Sequence, residues 1–262
     1  MQRQLLVQRR FLDPRPADQA ARQPIADAVN IPFDELTRRT HELPPQNTVV
    51  SVVGPKALAR STVEWLRAHG RRAAFETAFR YGCPGEASLG RLWQPTAFLS
   101  EVVRYWRPGA ALDLACGVGR DAVYLASLGW RVTAVDVLPD ALERARDLAG
   151  RYTAAIEPIE WQLVDLERQD LGFEGSFDLV TGFRYLHRPL FERLPRWLRP
   201  GGHIVYETFT TLHRERHGRP ASDGHVLKPG ELPRLLAGFD LRHHSEAWRG
   251  EAHTARVWAV KV

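Results

Sequence analysis

The stretch from Ala111 to Asp136, ALDLACGVGRDAVYLASLGWRVTAVD, constrains the fold more than any other part of the chain. Ala111 to Ala115 is a short apolar run of the length of a buried parallel strand. Gly117 and Gly119 follow and allow a tight turn with close approach of backbone to a ligand. Asp121 to Leu128 carries apolar residues at helical spacing, at Ala122, Val123, Leu125 and Ala126. Gly129 ends that helix, and Arg131 to Val135 reads as a second strand. Asp136 then sits where a carboxylate accepts both hydroxyls of a ribose. Strand, glycine turn, helix, strand and acid in this order build a nucleoside pocket in an α/β domain.

Two cofactor classes use this arrangement. Gly117-x-Gly119-x-x-Ala122 with an acid further on satisfies the dinucleotide fingerprint, which alone is a weak signal. Asp113, inside the first strand, points elsewhere. The string Asp113-Leu114-Ala115-Cys116-Gly117-Val118-Gly119-Arg120-Asp121 resembles the first motif of class I S-adenosylmethionine-dependent methyltransferases. Ile159 to Leu166 looks like that family's third strand, Phe177 to Arg184 its fourth, and Leu198-Arg199-Pro200-Gly201-Gly202 through Glu207 its turn and fifth strand. The resemblance implies a Rossmann-like α/β fold with a seven-stranded, mostly parallel sheet. Two extended segments, Phe239 to Trp248 and Ala255 to Val262, suit an antiparallel hairpin at one edge.

The cofactor roles follow from position. Gly117 and Gly119 let the backbone pass the amino-acid end of the cofactor, and Asp113 orients its ammonium. Asp136 binds the ribose, and Val137 and Leu138 pack on adenine. Asp165 accepts from the adenine amine, and Leu166 donates its backbone N–H to the ring. Ala115 and Phe183 complete the expected cofactor-binding set. Cys116 reads as a small residue in a crowded turn, and Asp121 as a cap on its own helix.

On the acceptor side, Thr181 to Arg188 ends the fourth strand at the crevice of the sheet. Arg184, Tyr185 and His187 are the candidates for substrate contact, with His187 a candidate base. Surface or packing roles for His187 and Tyr185 stay open. Glu207, Thr208 and His213 could line the acceptor pocket from the polar segment after the fifth strand. Thr181-Gly182-Phe183-Arg184 replaces the Asn/Asp-Pro-Pro-aromatic motif of nucleic-acid amine methyltransferases, which argues against that subclass. The stretch from Tyr185 to Leu232 looks like the small-molecule subgroup that includes tellurite-resistance-type enzymes. No metal ligand set is expected.

Residues 1–84 read as a separate small α/β domain, 85–92 as a turn-rich linker and 93–262 as the methyltransferase-like domain. In the first, Phe11-Leu12-Asp13-Pro14-Arg15-Pro16, Ala28-Val29-Asn30-Ile31-Pro32 and Ala59-Arg60-Ser61 through Gly70 resemble a rhodanese domain. Asp34 is expected to cap a helix, and Val49 to Val53 to form a buried strand. Pro55 stands where that family carries its nucleophilic cysteine, so this domain is expected to be inactive in sulfur transfer. Cys83 lies too far along the chain to substitute.

The 262 residues carry 36 Lys and Arg against 31 Asp and Glu, a net charge of +5. Lysine occurs only at positions 56, 228 and 261, so nearly all basic charge is arginine, and it is scattered. A solvated basic surface is the simpler reading than a nucleic-acid face. The N-terminal apolar run is too short for a signal peptide, and no run reaches the length of a membrane span. With only Cys83 and Cys116 present, a reducing cytoplasm is expected. The expected reaction is methyl transfer from S-adenosylmethionine to a small, anionic nucleophile, an oxygen, sulfur or chalcogen oxyanion. An RNA or protein methyltransferase and a non-catalytic S-adenosylmethionine-binding regulator remain as alternatives. Oligomeric state is open.

Overall fold

The computed structural model describes residues 7–8, 10–82, 90–152 and 158–262. They divide into one unit within Gln4–Gln94 and another spanning Pro95–Val262.

The first unit contains β1 (Val7–Gln8), β2 (Phe11–Asp13), α1 (Ala17–Arg22), β3 (Ala28–Asn30), β4 (Val50–Val52), α2 (Lys56–Ala68), β5 (Ala73–Phe75) and β6 (Gly90–Arg91). Four strands form a parallel sheet in the order β3-β2-β4-β5, and β1 pairs with β6. Ala59, Val63 and Leu66 of α2 pack with Leu12, Ile31, Val50 and Val52 as its core. The turn after β2 is locked by Asp13, whose carboxylate accepts from the Arg15 Nε, Nη2 and backbone N–H.

Three sequence expectations change here. Gly90 and Arg91, read as linker, form β6, and Leu92, read as the last linker residue, is buried in the core of the first unit. Its side chain closes that core, which a local reading of turn residues cannot detect. Asp34 caps no helix among the described residues: it lies inside the 3-10 turn Phe33–Glu35, whose cap position is Pro32. The Phe33 N–H is held instead by the Pro14 carbonyl at 3.0 Å. Cys83 and residues 85–89 lie outside the described residues.

The second unit runs α3 (Ala97–Val103), β7 (Ala110–Leu114), α4 (Arg120–Ser127), β8 (Arg131–Asp136), α5 (Pro139–Gly150), β9 (Ile159–Leu163), β10 (Phe177–Phe183), α6 (Leu194–Trp197), β11 (Leu198–Phe209), α7 (Thr211–His217), α8 (Glu231–Leu235), β12 (Phe239–Arg249) and β13 (Ala252–Lys261). Seven strands lie in the order β12-β13-β11-β10-β7-β8-β9. The pairs from β11 to β9 are parallel, while β13 runs antiparallel to β11 and forms a hairpin with β12.

Strand side chains alternate between two cores, as a period of two requires. Leu112, Leu114, Val180, Ile204 and Tyr206 pack with Leu190, Leu194, Trp197 and Leu232 on one face. Ala111, Leu179, Val205, Val132 and Ala134 pack with Phe98, Leu99, Ala122 and Leu125 on the other. Both faces are covered, which is why β7 and β8 read as nearly continuous apolar runs. No helix among the described residues is long and apolar enough to cross a membrane.

Candidate functional site

Strand order reverses between β7 and β10, with β8 and β9 on one side and β11 on the other. In open α/β sheets the ligand crevice forms at the C-terminal ends of the two strands flanking such a reversal. Left-handed backbone marks both ends here. Ala115 after β7 has φ 51° and Arg184 after β10 has φ 58°. Left-handed non-glycine residues are uncommon and cluster where surrounding structure enforces them.

Asp136 ties the glycine turn to the end of β8. One carboxylate oxygen accepts from the Gly117 N–H at 2.7 Å and the other from the Leu138 N–H at 2.9 Å. The Cys116 N–H donates to the Val135 carbonyl at 3.0 Å, a second tie. The two glycines serve different ends. A Cβ on Gly119 would meet Trp161 at 2.6 Å and the Ala145 Cβ at 2.8 Å, so glycine is required for packing. A Cβ on Gly117 would meet nothing within 4 Å and would project into open space above the turn.

Asp113 is buried in β7. The Thr181 hydroxyl donates to its Oδ1 at 2.8 Å, while Oδ2 is enclosed without a hydrogen-bond partner. Burial, with the charges of Asp121 and Asp136, pushes this carboxyl well above the ordinary aspartate value; the Thr181 hydroxyl and the Ala122 N–H oppose the shift. Burial and the same acidic surroundings push the Cys116 thiol up, so it stays protonated and unreactive. Asp121 differs from expectation. Its oxygens accept from the Thr96 N–H at 2.6 Å and the Thr96 hydroxyl at 2.8 Å, so it holds the start of α3 rather than its own helix.

The raised Asp113 pKa sets a pH dependence. A carboxyl that binds its proton more tightly when folded contributes stability at low pH and loses it as pH rises above the ordinary aspartate range. Asp113→Asn, which keeps the acceptor for Thr181, should therefore flatten the fall in melting temperature of the ligand-free protein between mildly acidic and neutral pH. The same variant should bind S-adenosylhomocysteine more weakly, because it loses the anion facing the cofactor's ammonium. Thermal melts across pH, with a titration at neutral pH, check both; an unchanged pH slope would contradict the assignment.

On the side of β8 and β9, Val137, Leu138 and Leu163 are 53%, 60% and 57% exposed. Three large apolar side chains in water at adjacent strand ends form a surface suited to a flat aromatic ring. Leu163, which pairs in register with Asp136, was not foreseen from sequence. Asp165 is partly engaged: Oδ1 accepts from the Glu167 N–H at 3.0 Å and Oδ2 lies 3.4 Å from Arg168. The Leu166 side chain is buried, and its N–H makes no hydrogen bond among the described residues.

On the side of β10 and β11, Phe183 packs half-buried against the core. Arg184 is exposed, with its guanidinium 6.0 Å from the centre of the Phe209 ring and its N–H on the Glu207 carbonyl at 2.8 Å. Phe209 is stacked on His213 at 4.2 Å. Burial, His217 and Arg184 hold the His213 imidazole below its ordinary value, so it is mainly neutral at pH 7. His187 is half-buried at the start of the 3-10 turn Arg188–Glu192.

Two candidates have enclosed hydroxyls. The Tyr185 hydroxyl is enclosed without a partner, burial pushes the phenol up, and its carbonyl accepts from the Tyr206 hydroxyl at 2.7 Å. Tyr185 thus packs against the core, and the burial that raises its phenol disfavours a proton-transfer role. Thr208 is fully buried within β11, because strand alternation turns it away from the face shared by Glu207 and Phe209. Glu207 accepts from the Thr254 hydroxyl at 2.6 Å. Arg120, at the start of α4, was quoted in the motif but given no role; it is half-buried and has no ion pair among the described residues.

These residues fit S-adenosylmethionine. An enclosed carboxylate oxygen without a partner suits an ammonium, directly or through water. The open space above Gly117 accommodates its amino-acid end, Asp136 lies at the end of β8 for the ribose, and the three exposed apolar side chains suit adenine.

The family described as methyltransferase domain matches residues 111–202. An uncharacterized protein of Schizosaccharomyces pombe is 22% identical over 82% of this chain and 81% of its own length, a span longer than the second unit alone. The ribosomal RNA small subunit methyltransferase C of Alcanivorax borkumensis is 31% identical over 45% of this chain and 39% of its own length. The chain spans about half the length of the named methyltransferases it matches. Among solved structures, TehB of Haemophilus influenzae superposes with a TM-score of 0.52 at 17% identity, covering 63% of this chain and 61% of that one, a likeness of fold. Family match, strand order and glycine turn together place residues 111–202 in the class I, S-adenosylmethionine-dependent methyltransferase domain family.

Proposed function

We propose that the chain transfers a methyl group from S-adenosylmethionine to a small nucleophile that carries negative charge, an oxygen, sulfur or chalcogen oxyanion. The observation that carries this is Arg184, an exposed guanidinium at the end of β10 that makes no ion pair among the described residues. Bound S-adenosylmethionine supplies a methyl group on a positively charged sulfur, so the leaving group is already activated. The chain's task is to hold donor and acceptor in line and exclude water. Asp113 and Asp136 fix the donor side, and Arg184 attracts and orients the acceptor. An acceptor that arrives as an anion has no proton to lose, so the reaction needs no base. His187 lacks an orienting partner among the described residues, which agrees with that economy.

Turnover across a panel of anionic acceptors tests the reading. Arg184→Ala and Arg184→Glu should lower kcat/KM by about tenfold or more, the worth of a charge-assisted hydrogen bond, with the charge reversal the worse. Affinity for S-adenosylhomocysteine should stay near the wild-type value. Unchanged turnover in both variants removes the support for an anionic acceptor.

One observation favours an RNA acceptor as the second reading: Arg216 lies 4.7 Å over the ring of Trp248, which is 42% exposed. Basic and aromatic groups side by side suit a stacked base. RNA binding that weakens steeply with salt would favour it.

For the first unit we infer a rhodanese-like fold without sulfur-transfer activity. The four parallel strands support the fold reading, and Pro55, in the turn between β4 and α2, offers no thiol.

A further inference from the structure

The turn that follows β9 spends its main-chain donors unevenly. The Val164 N–H donates to the Asp136 carbonyl at 2.9 Å, and the Asp165 N–H to the Gln169 side-chain oxygen at 3.2 Å. The Leu166 N–H, next in line, makes no hydrogen bond among the described residues, although its side chain is buried. A main-chain donor at a buried residue needs a partner. Beside it, Asp165 Oδ1 accepts from the Glu167 N–H at 3.0 Å. Oδ2 meets only the exposed Arg168 at 3.4 Å, a pair of little strength in water. One free donor and one available acceptor on successive residues match the ring nitrogen and amino group of adenine. They mismatch a 6-oxopurine, which presents the reverse pattern on that edge.

Such a pair reads a base only while its two groups are held in register, yet residues 164–169 lie in no helix or strand. Arg193 supplies the hold. It stands between the 3-10 turn Arg188–Glu192 and α6. Leu190 and Leu194, on either side of it, are buried in the same core as Leu166. Its Nη1 donates to the Gln169 carbonyl at 2.9 Å and to the Leu166 carbonyl at 3.4 Å. The grip thus reaches both ends of the span from Leu166 to Gln169. That span in turn closes on Asp165: the Gln169 N–H donates to the Asp165 carbonyl at 2.8 Å, and its side chain accepts from the Asp165 N–H. A guanidinium suits the task, being planar and charged at every working pH.

We propose that Arg193 is a positioning residue for base recognition: it braces the turn so that the Leu166 N–H and the Asp165 carboxylate select a 6-aminopurine over a 6-oxopurine in the cofactor. The brace rests on the cofactor site described above and adds to it a residue from a different element, the connection after β10. Arg193 acts through Leu166 and Gln169, not on the cofactor itself.

The test titrates the full chain by calorimetry with S-adenosylhomocysteine and with S-inosylhomocysteine, which carries the 6-oxo base in place of adenine. The wild-type chain should prefer the adenine ligand by about a hundredfold or more, since the oxo base leaves both groups of the turn unpaired. Arg193→Gln should weaken S-adenosylhomocysteine by about tenfold and S-inosylhomocysteine by less, so the preference should shrink by about threefold or more. Arg193→Lys, which keeps the charge and a donor, should recover part of the preference. Gln169→Ala removes the partner of the Asp165 N–H from an exposed position and should shrink the preference in the same direction. It carries the test if Arg193→Gln does not fold. Arg242→Gln, in β12 at the opposite edge of the sheet and paired with Asp240, should change neither affinity.

A residue that only stabilised the fold would weaken both ligands equally. An unchanged preference in folded Arg193→Gln, or in Gln169→Ala where the arginine variant does not fold, therefore overturns the brace. If the wild-type chain takes both ligands equally well, the turn does not read the base, and the brace falls while the cofactor site stands. If it takes neither, the cofactor site falls and the brace with it.

Discussion

Replacing Asp136 with alanine should cost the protein its cofactor. The carboxylate accepts from the Gly117 N–H at 2.7 Å and the Leu138 N–H at 2.9 Å, so it shapes the turn and keeps lone pairs free for ribose hydroxyls. Each hydrogen bond to a charged acceptor is worth about 1.5–3 kcal/mol. Losing two of them predicts an S-adenosylhomocysteine affinity lower by roughly a hundredfold or more. Part of the loss comes through the turn, whose Gly117 N–H would need a new partner. Asp136→Asn keeps one carbonyl acceptor and the side-chain volume but sets its amide NH2 against the Gly117 or Leu138 N–H, so it should lose about 1–3 kcal/mol of stability and bind at least about tenfold more weakly. Wild-type affinity in Asp136→Ala, measured by calorimetry on a folded protein, would show that the cofactor does not lie on this residue.

The second large effect separates two glycines two residues apart. Gly119→Ala should destabilise the fold. Its backbone is left-handed, at φ 74°, and the new methyl would sit 2.6 Å from Trp161 and 2.8 Å from the Ala145 Cβ. Left-handed strain costs about 1–3 kcal/mol and overpacking a similar amount, so a loss of roughly 2–5 kcal/mol is expected. At about 2–4 °C per kcal/mol for a unit of this size, the melting temperature should fall by roughly 5–15 °C. Gly117→Ala is also left-handed, at φ 55°, but its methyl would meet nothing within 4 Å. It should lose only the strain, about 1–2 kcal/mol, and fail chiefly in binding, because the methyl enters the space taken by the ligand. Thermal melts paired with S-adenosylhomocysteine titrations resolve the two. Equal destabilisation in both variants would contradict the distinct roles given to them.

The elements that could be read from sequence are those whose signal is local. The run from β7 through Gly117 and Gly119 to α4, β8 and Asp136 is legible because glycine spacing, apolar periodicity and a terminal acid all fall within 26 residues. The β12–β13 hairpin was legible from two extended segments near the end of the chain. What stayed hidden depends on partners far along the chain. Asp121 reaches back to Thr96, and Leu92 closes the core of the first unit. Leu163 is exposed because it ends β9 beside Asp136, and nothing in its neighbours in sequence says which way it faces. Tyr185 and Thr208 were plausible site residues by position, yet packing encloses both hydroxyls. Arg120 illustrates the same limit most plainly. A guanidinium after the glycine turn is visible in sequence, but that it is half-buried and makes no ion pair among the described residues is visible only in three dimensions.

The central claim is that the end of the sheet between β7, β8 and β10 is an S-adenosylmethionine site. Calorimetric titration of the wild-type chain with S-adenosylhomocysteine, beside NAD, tests it most directly. Asp113, the open space above Gly117 and the exposed Val137, Leu138 and Leu163 predict saturable one-to-one binding of S-adenosylhomocysteine at micromolar concentration or below, and none of NAD at the same concentration. A folded chain that binds NAD instead, or neither ligand, would contradict the claim.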